Sequence, residues 1–340
     1  WIGRLGMITC FILLSFYSVV GGWIVIYLFK SLSGGLHGLS EKQYAELFAG
    51  TISNPFISVF AHFIFMAITI YVVSRGVAAG IERANKWMMP GLFILLIIIM
   101  IRSLTRDGSA EGFEFILKPD PAKISPETLL FAMGQAFFTL SIGVSIMVTY
   151  SSYVSKKESI PQSAISIVIM NILVAFLAGM AIFPVVFASG QEPDQGPVLI
   201  FNVLPVVFSK ISYGMVFFTG FLILFLFAAL TSAFSMLEMI VAIASKGEKK
   251  KRKKYTWIIG LLIFFMGIPS ALSFGALNNI VLFDKTIFDI ADFLVSNILM
   301  PLGALLISLF IPLKIPRQRI LEELSSGSGA GKKYLQFGIY

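Results

Sequence analysis

The stretch GQAFFTLSIGVSIMVTYSSY, Gly134–Tyr153, is the one on which the reading of this chain turns. It is apolar over a length that crosses a bilayer, which takes about 20 residues of helix. Yet it carries Gln135, Thr139, Ser141 and Thr149, with Gly143 near its middle. A plain anchor helix has no need of so many hydrogen-bonding groups, and a Ser-Ile-Gly step at bilayer depth weakens the helix locally. Two readings stay open on this segment alone. The helix is interrupted and exposes backbone groups inside the membrane. Or it is continuous, with hydroxyls bonded back to its own carbonyls and the glycine serving packing.

The surrounding composition places the whole chain in a bilayer. Its 340 residues are 57% hydrophobic and 13% charged, with mean hydropathy +0.89; soluble domains carry about 25% charged residues. Cys10 is the single cysteine, so no internal disulfide and no thiolate cluster can form. His37 and His62, the two histidines, have no ligand-spaced Cys, His or carboxylate near them. No nucleophile–base motif stands out either, so the residues do not read as an enzyme's. The chain opens on Trp1 with no signal-peptide pattern. A flexible stretch, Ser325–Gly331, precedes a final apolar segment, Lys332–Tyr340. Both ends read as those of a piece of a longer protein.

Apolar runs predict about eight membrane helices, over 5–29, 55–76, 86–104, 128–153, 161–185, 211–245, 255–274 and 287–312. Residues 313–340 are expected as a cytoplasmic tail or loop. With Trp1–Arg4 inside, most of the 26 Lys and Arg residues fall on the cytoplasmic side. These are Arg4, then Arg75, Arg83 and Lys86, then Lys156 and Lys157, the run from Lys246 to Lys254, and the chain from Lys314 on. The net charge of +8 is therefore a topology signal rather than a nucleic-acid footprint. KKKRKK, Lys249–Lys254, takes the same reading. Outside loops are expected at Ser31–Ser53, at Asp107–Glu127 with Pro119, Pro121 and Pro126, and at Ala188–Lys210. The last holds Phe201, Leu204, Val206 and Phe208, too much apolar surface for a free loop, and is expected to be a structured cap.

Polar groups inside the spans are the candidate functional residues. Glu238, Asp289 and Asp292 are carboxylates within predicted helices. Glu238 has no basic residue one helical turn away, which calls for a contact to another helix or a protonated form. Asp289 and Asp292 lie near a span end, where a merely interfacial role is equally in keeping. Thr231 and Ser232, in FAALTSAFSM beside Ala228 and Ala229, offer two hydroxyl oxygens with carbonyls freed nearby. Neutral oxygens suit a monovalent cation that must leave again; the plainer reading is a small-residue helix contact. Tyr17, in SFYSVVGGW, has a mid-span phenol that wants a partner, and Asn171 and Thr139 add further oxygens.

Taken in order, these segments resemble the neurotransmitter:sodium symporter family in its prokaryotic branch. GQAFFTLSIGVSIMVTYSSY is similar to the family's sixth helix, RGVAAGIERANKWMMP (Arg75–Pro90) to its fourth-to-fifth helix junction, GPVLIFNVLPVVF (Gly196–Phe208) to its fourth extracellular loop, and FAALTSAFSMLE (Phe227–Glu238) to its eighth helix. The resemblance implies an all-α polytopic membrane protein of the plasma membrane. Its fold would be a partial inverted-repeat transporter fold with an unwound sixth helix, covering about helices three to ten. The implied activity is sodium-coupled symport of a zwitterionic, apolar amino acid. The alternatives are a channel-like or ligand-binding membrane protein without coupled transport, and a non-transporting fragment.

The resemblance also implies residue roles. Tyr17 would bind the substrate carboxylate and Phe138 would close over the substrate. Ser141, Ile142, Gly143 and Val144 would form the unwound stretch beside it, with Ala233 and Met236 across the side-chain pocket. Thr139 and Asn171 would contribute to one sodium site, and Ala228, through its carbonyl, Thr231 and Ser232 to a second. Asp292, in the D-x-x-D-F pattern, would be the outer-gate acid. Ala175 stands where some chloride-independent members carry an acid, which leaves a chloride role open, with Gln135 as the candidate anion contact.

Overall fold

Runs of apolar residues longer than 18 become long helices here, because a chain without water to bond its backbone must satisfy its amides internally. The computed structural model describes residues 1–76, 81–105, 108–118, 120–152, 158–188, 190, 196–210, 212–246 and 248–325. Asp107, Pro119, Tyr153, Lys156, Lys157 and the terminal segment 326–340, named above, lie outside the described residues, as does part of the Arg75–Pro90 junction.

The helices are α1 (Ile2–Leu32), α2 (Glu41–Ser53), α3 (Pro55–Ser74), α4 (Arg83–Leu104), α5 (Ala110–Leu117), α6 (Pro126–Thr139), α7 (Ile146–Ser151), α8 (Ile160–Ala188), α9 (Gly196–Val198), α10 (Leu204–Ser209), α11 (Gly214–Ser245), α12 (Lys249–Leu272), α13 (Ile287–Phe293), α14 (Met300–Lys314) and α15 (Arg317–Ser325). Among the described residues, π turns interrupt the regular geometry at Leu199–Val203 and Leu294–Leu299. Among the described residues seven helices are long and apolar enough to cross a membrane, the last running continuously over Ile287–Lys314. The stretch expected over 128–153 is not one of them, being split into α6 and α7. The chain is an all-α polytopic membrane protein with the unwound helix its sequence implied.

Two of the expected loops are helical. Within Ser31–Ser53, α2 starts on a capping box: Gln43 N donates to Ser40 Oγ, and Ser40 N donates to Gln43 Oε1 at 2.8 Å. Tyr44 is buried there and donates its hydroxyl to Leu36 O at 2.6 Å. Within Asp107–Glu127, α5 packs closely on α8; a methyl group on Gly112 would lie 2.5 Å from Phe183 O. The described part of the third expected loop, 196–210, is a structured segment. Phe201, Leu204, Val206 and Phe208 are buried, where α10 and the preceding π turn pack against α2 and α10 also packs against α11.

Contacts divide the chain into two compact units. The first comprises Trp1–Thr9, Ile124–Ala175 and the chain from Leu294 on. In it α6 packs against α14 and the π turn before α14. The second comprises Cys10–Lys123 and Phe176–Phe293. Its core is α11, packed on α3, α4, α10 and α12. There α1 approaches α3 through Gly21 and Gly22: a methyl on Gly22 would lie 2.6 Å from His62 N and 2.7 Å from Ala61 C. Trp23 and Tyr27, one turn apart on α1, are fully buried against Phe48 and Phe201, which stack on each other.

Candidate functional site

The first unit carries the interrupted helix. Ser125 opens α6 with a capping box to Thr128, and Pro126 sits at its first turn, where a missing N–H costs nothing. At the other end Ile142 N donates to Phe137 O at 2.9 Å and Ser141 N to Phe138 O at 3.1 Å, with Ser141 left-handed at φ 53°. This is the Schellman closure, in which a left-handed residue turns the chain out of the helix and satisfies its last carbonyls. Gly143 (φ 90°) and Ser145 (φ 60°) are left-handed as well. Ser145 then holds the N-cap position of α7, its backbone carbonyl accepting from Thr149 N at 3.1 Å. Three left-handed residues in five cannot continue a right-handed helix. Residues 141–144, between the last bond of α6 and the first of α7, thus lie outside the helical ladder.

Several candidate residues gather at this break. Gln135 donates to Thr139 Oγ1 at 3.1 Å along α6, and Asn171 on α8 donates to Thr139 O at 3.4 Å. Thr139 is thereby the shared partner of Gln135 and Asn171. Phe138 and Ser141 are half-buried, Ile142 is exposed, and Gly143 and Val144 are buried. Ala175 is exposed, one turn of α8 beyond Asn171.

The second unit carries the other candidates. The Tyr17 phenol on α1 lies beside the Ser232 hydroxyl on α11. Thr231 Oγ1 donates to Ala228 O at 2.9 Å, and Ser235 Oγ donates to Thr231 O at 3.1 Å. A hydroxyl whose proton is spent on a carbonyl keeps its oxygen lone pairs for another partner. Sequence reasoning expected carbonyls freed beside Thr231. Instead α11 is unbroken through this region, and the Ala228 carbonyl is held by the threonine hydroxyl. Ala233 and Met236 are buried, and Met236 O accepts from Cys10 Sγ at 3.4 Å.

The three membrane carboxylates separate into different roles. Asp289 Oδ2 accepts from Thr286 N at 3.2 Å and from Thr286 Oγ1 at 2.8 Å, while Asp289 N donates to Thr286 Oγ1. It is the acid of a capping box at the start of α13, a T-x-x-D signal present in the sequence. Asp292, one turn on, is half-buried. Glu238 is fully buried and paired with Arg252, the fourth residue of KKKRKK. The basic run is the first turn and a half of α12 rather than a loop. Its arginine turns inward, although in the sequence the run reads only as a topology signal.

Comparison with known proteins gives this arrangement its context. The family model described as the sodium:neurotransmitter symporter family matches residues 50–307. An uncharacterized sodium-dependent transporter of Bacillus subtilis, YhdH, is 57% identical over 99% of this chain and 75% of its own length. One from Haemophilus influenzae is 36% identical over 96% of this chain and 72% of its own. The crystal structure of MhsT in complex with L-phenylalanine superposes with a TM-score of 0.90 at 41% identity, covering 98% of this chain and 76% of that one. These relatives are transporters, not enzymes. With seven apolar helices among the described residues, the chain is a multi-pass protein of the plasma membrane.

Proposed function

Because this chain belongs to the sodium:neurotransmitter symporter family, we propose that it couples inward sodium movement to uptake of an apolar, zwitterionic amino acid. The observation that carries this reading is the break at 140–145, where Ser141, Gly143 and Ser145 are left-handed and the backbone leaves its helical ladder. Unladdered amides and carbonyls at membrane depth are the groups that meet the charged ends of an amino acid. MhsT, of the same fold, holds L-phenylalanine. That supports an amino acid with a large apolar side chain.

In this reading Tyr17 donates its phenol to the substrate carboxylate. Ser141, Gly143 and Val144 line the unwound stretch, and Phe138 covers the substrate. Ala233 and Met236 bound its side chain. Thr139 and Asn171 hold one sodium ion. The Ala228 carbonyl with the Thr231 and Ser232 hydroxyls holds a second. Asp292 serves the outer gate and Gln135 the anion contact, for which chloride is the candidate ion. Sodium and substrate both favour an occluded state, and release inside completes alternating access. The membrane potential adds about 2.3 kcal/mol per charge per 100 mV to drive accumulation.

The test is uptake of labelled amino acids by the full-length protein in liposomes, with and without an inward sodium gradient. Accumulation above equilibrium that needs sodium, and is lost on Thr231→Ala with Ser232→Ala, is the expected result. Uptake that only equilibrates, or ignores sodium, overturns the coupling. Replacing chloride by gluconate in the same assay, with and without Gln135→Ala, reads the anion contact.

A further inference from the structure

The interrupted stretch has no ladder of its own, so whatever abuts it sets where its carbonyls and amides stand. Two glycines outside the break do so. On α14, a methyl group at Gly303 would lie 2.4 Å from Gly143 O and 3.1 Å from Gly143 C. The contact is reciprocal: a methyl at Gly143 would lie 2.2 Å from Met300 O and 3.0 Å from Ala304 N. From a second direction, Gly6 near the start of α1 meets the other end of the break. A methyl there would lie 2.2 Å from Ser145 Oγ, 2.8 Å from its Cβ and 3.3 Å from Val144 C.

These are not ordinary helix glycines. A methyl on Gly3, one turn earlier on α1, would meet nothing within 4 Å. Next to the break but still on α6, Gly134 is an ordinary 3.9 Å from Ser296 O. Among the described glycines of the first unit, approaches this close all involve Gly143 or the Val144–Ser145 segment. Packed interiors do not yield by an ångström without cost. A methyl at Gly303 must therefore displace the Gly143 carbonyl or push α14 away.

We propose that Gly6 and Gly303 are positioning residues for substrate binding, clamping the unwound backbone from two sides and acting only through it. The inference rests on the reading that this backbone binds the substrate. Misplacing a binding group by about 1 Å can cost as much as a hundredfold in rate. Gly303→Ala and Gly6→Ala are each expected to raise the substrate's half-saturation concentration at least tenfold, with the maximal rate unchanged within about twofold.

The experiment uses the full-length protein in lipid nanodiscs and liposomes, with Gly303→Ala, Gly6→Ala, Ser145→Gly, the double variant Gly6→Ala with Ser145→Gly, and Gly3→Ala as control. Amide hydrogen exchange across Ser141–Ile146 is read without substrate, and half-saturation and maximal rate are read with it. The expected result is at least tenfold faster exchange at Ser141–Ile146 in both alanine variants, with α3 and α11 unchanged. Ser145→Gly removes the side chain that Gly6→Ala would strike, so the double variant should return to the Ser145→Gly values. Unchanged exchange at the break overturns the clamp. Faster exchange with an unaltered half-saturation overturns the positioning role. If Gly303→Ala does not fold, the Gly6 and Ser145 variants decide. Should the wild-type protein carry no amino acid with sodium, the reading of the preceding subsection fails, while exchange still reports on the clamp.

Discussion

Glu238 and Arg252, fourteen residues apart in sequence, form an ion pair between α11 and α12 in which the glutamate side chain is fully buried and the arginine side chain is 17% exposed. The arginine binds both carboxylate oxygens and donates to Val73 O, near the end of α3, at 3.1 Å. One side chain thus joins three helices. The planar fork of arginine makes this possible where a lysine would supply only a point charge.

Removing one partner leaves the other charge buried, so Arg252→Met or Glu238→Leu alone should each cost about 3–5 kcal/mol. The double variant should recover most of that loss, because two apolar side chains of similar volume leave no orphan charge. Thermal denaturation of the purified protein, read as a double-mutant cycle, checks it. Losses that simply add would mean the pair carries no coupling.

Gly22 lets α1 approach α3 until the backbones meet, and neither Ala61 nor His62 can move its main chain aside. Gly22→Ala should therefore destabilise by about 1–3 kcal/mol. Gly91→Ala on α4, where a methyl would meet nothing within 4 Å, should be neutral or stabilising by up to about 1 kcal/mol. Melting temperatures of the two variants beside wild type give the comparison.

Tyr17→Phe deletes a phenol that lies beside Ser232 and, on the proposed function, donates to the substrate carboxylate. A hydrogen bond to a charged group is worth about 1.5–3 kcal/mol. The substrate's half-saturation concentration should rise about 10- to 100-fold in sodium-driven uptake. An unchanged value would detach Tyr17 from the substrate.

Ser40→Ala removes one half of the capping box that starts α2. The cost should be about 1 kcal/mol, expressed locally as about fivefold faster hydrogen exchange in the first turn of Glu41–Ser53. Exchange in α3 should stay at its wild-type rate.

Much of this protein is legible along the chain. Length and apolarity place the membrane helices because a backbone in lipid must bond to itself, and that demand is met within one segment at a time. The break was readable only as one of two alternatives: Gly143 between serines, with Thr139 one turn and Gln135 two turns before, fits an interrupted helix as well as a continuous one. The capping boxes at Ser40 and Thr286 were equally present as short patterns, although they lie in stretches first read as a loop and as a span end.

Other features required the fold. Nothing near Glu238 in sequence announces Arg252, since the pair is closed by the turn between α11 and α12, and KKKRKK reads as six equivalent charges until one side chain is seen to point inward. Gly6 and Gly303 look like any helix glycine, as Gly3 does. What sets them apart is an unwound backbone brought against them from more than a hundred residues away. Patterns satisfied within a helix or a turn are written in consecutive residues, whereas buried charge pairing and close backbone approach depend on which helices become neighbours, and only the tertiary structure decides that.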